Sequence, residues 1–109
     1  MSIVQKNVFG DNIVYQIWPD FTRNLNEVLK EEITSILKEL EVTSAVIRIE
    51  HGAETNQFAQ IVAQFLLSIG INVSQIIPVF MSEIQRSKFS IQKHPSDPTF
   101  AIVKIGTLI

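Results

Sequence analysis

The 109-residue sequence contains no cysteine. That absence excludes disulfides, cysteine-ligated zinc, iron–sulfur clusters and thiol nucleophiles together, and it fits a reducing compartment. Charge is scarce as well. Charged residues make up 18% of the chain and apolar ones 46%, whereas about 25% charged is usual for a soluble domain. A surface so short of charge points to part of it being covered by a second copy or by another protein.

Long apolar runs are missing too. The stretch FAQIVAQFLLSIGI (58–71) is the most apolar and still carries two glutamines. It is shorter and more polar than the roughly 20 apolar residues that span a bilayer. The start, MSIVQKNVFGDN, has neither the basic opening nor the apolar centre of a secretion signal. These features lead us to expect a soluble, cytoplasmic protein with no membrane partner.

Motifs that carry chemistry are absent from the sequence. It has no GxxxxGK[ST] or GxGxxG to cradle phosphates and no GxSxG to expose a serine nucleophile. No serine has a base beside it in the chain. The two histidines, His51 and His94, lie far apart in sequence, so no metal site is expected. No cofactor and no catalytic residue are assigned, and the sequence leans away from an enzyme.

Net charge is −2, but it is unevenly placed. Residues 84–109 hold Arg86, Lys88, Lys93 and Lys104 against Asp97 alone. Four bases spread this thinly fall far short of the dense patch that grips a polyanion. RSKFSIQKH interleaves bases with Phe89 and Ile91 but lacks an RNP1-like string, so nucleic acid is not an expected partner.

What is present is regular structure. IVQKNVF and IVYQIW flank GDN and read as a β-hairpin over 2–18, with Val4 and Val8 sharing one face and Ile13, Tyr15 and Ile17 another. Residues 21–41 repeat apolar side chains at helical spacing: Leu25, Leu29, Ile33, Ile36, Leu37 and Leu40. Asn24 with Glu27 offers a capping box, and Asp20 is the rival cap. SAVIRIE (44–50) is nearly all apolar apart from Arg48, as a central strand should be. A second helix follows over 54–69, ended by Gly70, and INVSQII (71–77) is the next strand. The 44–77 stretch is therefore a strand–helix–strand unit that favours parallel pairing. Pro78 interrupts it, and VFMSEIQRS fits several conformations. KFSIQK and TFAIVKIGTLI, separated by HPSDP, read as a second hairpin.

The resulting order is ββαβαβ(β)β. It describes a single domain over 1–109, an α/β (α+β) two-layer sandwich with a mixed sheet of five to six strands and two helices. Helices on one face would leave the other bare, and pairing of that bare face makes a homo-oligomer, with a dimer favoured.

Two places carry candidate sites. Ligands in α/β folds gather where a strand runs into a helix, which singles out Glu50, His51 and Gly52, with Arg48 nearby. His51 titrates near neutrality, and Gly52 lets a ligand approach the backbone. An ordinary strand-to-helix turn explains the same residues. Tyr15, Trp18 and Phe21 form an aromatic cluster at the end of the first hairpin. It fits either a partner interface or core that packs the hairpin onto a helix. The function expected is a small non-catalytic interaction or regulatory module that acts as a homo-oligomer. The alternative is a binder of a small anion or nucleotide, or a modest enzyme, at the 50–54 turn.

Overall fold

A computed structural model describes residues 4–9, 12–17, 25–50, 52–79 and 89–106. It contains two helices and one six-stranded mixed sheet. The strands are β1 (Val4–Phe9), β2 (Asn12–Ile17), β3 (Ser44–Glu50), β4 (Asn72–Val79), β5 (Phe89–Lys93) and β6 (Phe100–Ile105). The helices are α1 (Glu27–Leu40) and α2 (Ala53–Ser68). Across the sheet the order is β1-β2-β5-β6-β3-β4.

Both expected hairpins form. β1 pairs antiparallel with β2, from Val4 opposite Ile17 to Phe9 opposite Asn12. β5 pairs antiparallel with β6, from Phe89 opposite Ile105 to Lys93 opposite Ala101. The hairpins join through an antiparallel β2–β5 pairing. β3 is flanked by β6 and β4 and runs parallel to both, so this largely apolar strand lies inside the sheet. The strand–helix–strand unit thus closes with its two strands as immediate neighbours.

One face of the sheet carries the helices. Tyr15 and Ile17, Ala45, Ile47 and Ile49, Phe89 and Ile91, and Ala101, Val103 and Ile105 alternate along their strands and belong to one apolar cluster. The buried stripe of α1 (Leu29, Ile33, Ile36, Leu37, Leu40) joins that cluster, as do Phe58, Ala59, Val62, Ala63 and Leu66 of α2. Both helices therefore lie on the same side. Phe58 meets Phe89 edge to face, with ring centroids 5.6 Å apart and planes at 72°, an arrangement the aromatic quadrupoles favour. Each large side chain buried here contributes about 1.5–3 kcal/mol.

Three details differ from the sequence reading. The first is the start of α1, which is capped by Asn26 rather than Asn24 or Asp20. Asn26 is extended, and its side-chain oxygen accepts the Leu29 N–H at 2.8 Å, the geometry of an N-cap.

The second is β4, which runs through Pro78 to Val79. Pro78 sits opposite Ile49 on an edge strand, where a missing N–H need not cost a ladder bond. The ambiguous 80–88 stretch lies outside the described residues.

The third is the face opposite the helices, which is not bare. Val14, Val46 and Ile102 lie on it, off the helix-side cluster, and all three are buried. An exposed apolar sheet face is therefore not the reason to expect self-association.

The helix ends are set by backbone geometry. Glu41 closes α1 in the left-handed region at φ 58°, ψ 39°, and its N–H bonds back to the Leu37 and Lys38 carbonyls. Gly70, at φ 87°, follows α2. There Gly70 N–H reaches the Leu67 carbonyl at 3.2 Å and Ile71 N–H reaches that of Leu66 at 2.9 Å, the pattern a C-terminal glycine supports.

Candidate functional site

The 50–54 turn is built around a residue that the sequence reading passed over. Thr55 is fully buried, and its hydroxyl lies 2.6 Å from the Glu50 carbonyl and 2.9 Å from that of Gly52. One hydroxyl donor thus ties the end of β3 to the start of α2. Gly52 stands at the N-cap without a side-chain cap, and its carbonyl accepts the Asn56 N–H at 3.1 Å. Glu50 is buried at the strand end, while Glu54 occupies the first helical turn, where it complements the helix dipole. His51 lies outside the described residues.

Arg48 belongs to a different place. Strand alternation puts it on the face away from the helices, where it lines a cavity of about 300 Å³ with Val46, Ser74, Gln75, Ile77, His94, Asp97 and Phe100. Four separate segments converge there: β3, β4, β6 and the 94–99 turn between β5 and β6. A register shift between Ala45 and Val46 makes Ser74 the extra residue of β4, and its hydroxyl donates to the Ala45 carbonyl at 3.4 Å.

The 94–99 turn is held by its own polar groups. Nδ1 of His94 accepts the backbone N–H of Ser96 at 3.0 Å and of Asp97 at 3.2 Å. The neutral ring therefore carries its proton on Nε2. Oδ1 of Asp97 accepts the Thr99 hydroxyl at 2.7 Å and the Thr99 N–H at 3.0 Å. Those bonds, the hydroxyl's first, hold the Asp97 carboxyl below its ordinary value. The sequence reading treated HPSDP only as a turn. Histidine and aspartate three apart in a proline-flanked turn was the one local signal that a polar corner forms here.

A second polar cluster joins the first hairpin to α1. Lys6 Nζ lies 3.0 Å from Glu39 Oε1 and 5.7 Å from the centre of the Tyr15 ring. Glu39 raises the Lys6 ammonium above its ordinary value. The Glu39 carboxyl is drawn down by the Tyr15 hydroxyl and by Lys6. The Tyr15 hydroxyl is buried and makes no hydrogen bond of full geometry; the firm contact of the Glu39 carboxylate is the 3.0 Å one with Lys6. Burial first, and the Glu39 carboxylate second, push the phenol up. Tyr15 is 4% exposed and packs in the core cluster, leaving almost no surface for a partner. Trp18 and Phe21 lie outside the described residues.

A third feature is a surface rather than a cavity. From Ala53 to Val79 the only charged residue is Glu54, whereas α1 with its cap carries Glu27, Lys30, Glu31, Glu32, Lys38, Glu39 and Glu41. The outer side of α2 presents Gln57, Gln60, Gln64 and Ser68. Ile61 and Leu67 are exposed among them, by 47% and 51%. Beside α2, β4 forms one edge of the sheet, and NVSQIIPV carries no charge.

Among the described residues, no group of three or more His, Asp or Glu comes together to hold a metal ion, and no helix is long and apolar enough to cross a membrane. No protein-family model, curated protein or solved structure matches the chain.

Proposed function

We propose that this chain is a non-catalytic interaction module that works as a homodimer, joined through the outer side of α2 and the neighbouring edge of β4. The observation that carries this is the contrast in charge between α1 and the α2–β4 surface beside it. α1 is densely charged, whereas residues 53–79 hold a single carboxylate over 27 positions. Interface centres are depleted of charge in the same way. A surface with one carboxylate offers little to a charged partner, and another copy of the same surface complements it in kind. A two-fold axis brings like residues together, so Leu67 and Ile61 of each copy would cover those of the other.

An uncharged edge strand supports the same reading. Free edges are normally guarded by lysine, a covering element or a bulge. β4 has its bulge at Ser74 and its proline at 78, which leaves Gln75–Ile77 between them. The compartment that goes with this reading is a reducing, cytoplasmic one, supported by the lack of cysteine.

The test is mass in solution. By size exclusion with light scattering, the wild-type chain should run at about twice its 12.3 kDa. Leu67→Lys and Ile61→Lys, both on exposed helical positions, should run as folded monomers. A wild-type monomer at high micromolar concentration, or a dimer unmoved by both substitutions, defeats the proposal.

A further inference from the structure

We propose that a second cavity, on the helix side of the sheet where α1 ends, binds a small monocarboxylate with a short aliphatic body, anchored by the Lys93 ammonium. The cavity holds about 350 Å³, the low end of the range that small-molecule sites occupy. It shares only His94 with the cavity beside Arg48.

The topology brings its walls together. Tyr15 stands opposite Ile91, and two residues further along the same face the paired strands carry Ile13 and Lys93. Lys93 is in turn opposite Ala101, which is fully buried. At this end the helix layer stops, because Leu40 is the last residue of α1. The turn after β5 adds Pro95 and Pro98, so four of the seven lining residues are apolar.

Three polar residues complete the wall, and one of them keeps an uncompensated charge. Glu39 is paired with Lys6 at 3.0 Å. His94 is neutral with Nδ1 filled by two amides, so Nε2–H is the one donor its ring can offer. Lys93 is half-buried and makes no hydrogen bond or ion pair among the described residues. Such an ammonium has given up part of its hydration without gaining a partner. The Glu41 and Val42 N–H groups cover the Leu37 and Lys38 carbonyls, so the end of α1 sets only a partial negative charge against that full positive one. The wall therefore sums to one positive charge and matches a ligand of one negative charge. A doubly charged phosphate would bring its second charge beside Glu39 and would find few donors among apolar side chains. A carboxylate takes a charge-assisted bond from Lys93, and its aliphatic body lies against Ile13, Leu40 and the proline rings.

The experiment is an amide NMR titration of the full chain with isovalerate, isovaleramide, acetate and inorganic phosphate. Isovalerate should bind saturably in the millimolar range expected of so small a ligand, with shifts centred on Ile13, Leu40, Lys93 and His94. Isovaleramide should bind about tenfold more weakly, the cost of one charge-assisted contact. Acetate, which lacks the aliphatic body, should also fall by about tenfold or more, and phosphate should not displace isovalerate. Lys93→Met, its fold checked by circular dichroism, should bind the acid no better than the amide. An unsaturated response, equal binding of acid and amide by the wild-type chain, displacement by phosphate, or a preference for the acid that survives in a folded Lys93→Met overturns the proposal. Because one chain supplies the whole cavity, the titration stands apart from the oligomeric state.

Discussion

Thr55→Val is the substitution that most directly probes how the strand-to-helix turn is held. Thr55 is 0% exposed, and its hydroxyl is shared between the Glu50 carbonyl at 2.6 Å and the Gly52 carbonyl at 2.9 Å. Valine has the same shape, so no cavity opens. What is lost is one net hydrogen bond, about 1 kcal/mol, rising toward 2–3 kcal/mol where a buried carbonyl is left without its donor. Gly52 keeps the Asn56 N–H at 3.1 Å, which limits that penalty. The added methyl returns at most about 0.8 kcal/mol. The net expectation is a loss of about 1–2 kcal/mol, or a Tm lower by roughly 5–10 °C for a chain of this length. Calorimetric melting or urea unfolding of Thr55→Val beside Thr55→Ser reads it. Serine keeps the donor and loses one methyl, so it should fall by about 1 kcal/mol or less. A valine variant as stable as wild type, with the serine variant the weaker of the two, would refute the role given to the hydroxyl.

Two further outcomes follow from the same structure. Glu41 holds a left-handed conformation without being glycine, so Glu41→Gly should stabilise α1 by about 0.5–1 kcal/mol. Gly70→Ala, where nothing lies within 4 Å of an added Cβ, should cost about 1–2 kcal/mol from backbone strain alone; urea midpoints of the pair should move in opposite directions. For pH, Glu39 and Asp97 have depressed values in the fold, so their stabilisation is present above the ordinary carboxylate range and lost as pH falls through the folded values, below about 4. Lys6 and Tyr15 are raised, so theirs is present below the unfolded values and lost as pH rises past about 10. Urea midpoints should form a plateau between these limits, and Glu39→Gln with Asp97→Asn should flatten the acid limb.

The layers and hairpins were legible because periodicity survives whatever the tertiary context. Leu29, Ile33, Ile36 and Leu40 could share one face only on a helix, and Ile13, Tyr15 and Ile17 could share one only on a strand. Caps were less legible. Asn24, Asn26 and Asp20 all suit an N-cap by residue type, and the sequence does not show where the helix begins. Pro78 read as a stop because sequence does not reveal that β4 lies at an edge, where proline is tolerated. The cavity was the least legible part. Arg48, Gln75, His94, Asp97 and Phe100 are scattered over 53 positions and become neighbours only through the β6-β3-β4 order. The turn at 50–54 drew attention for its histidine and glycine, while the residue that locks it, Thr55, carries no motif.

The two rims of the sheet are unlike each other, and that limits how copies can add. β4 is neutral, whereas β1 carries Lys6, which is engaged with Glu39. Stacking in a head-to-tail series would set the neutral rim against one whose lysine is already paired with Glu39, crowding that ion pair and offering it nothing in return. Meeting like rim to like rim avoids this and uses up the neutral one. For the dimer proposed above, growth would therefore stop at two copies, giving a closed particle rather than a fibre, and apparent mass would level off however concentrated the solution becomes.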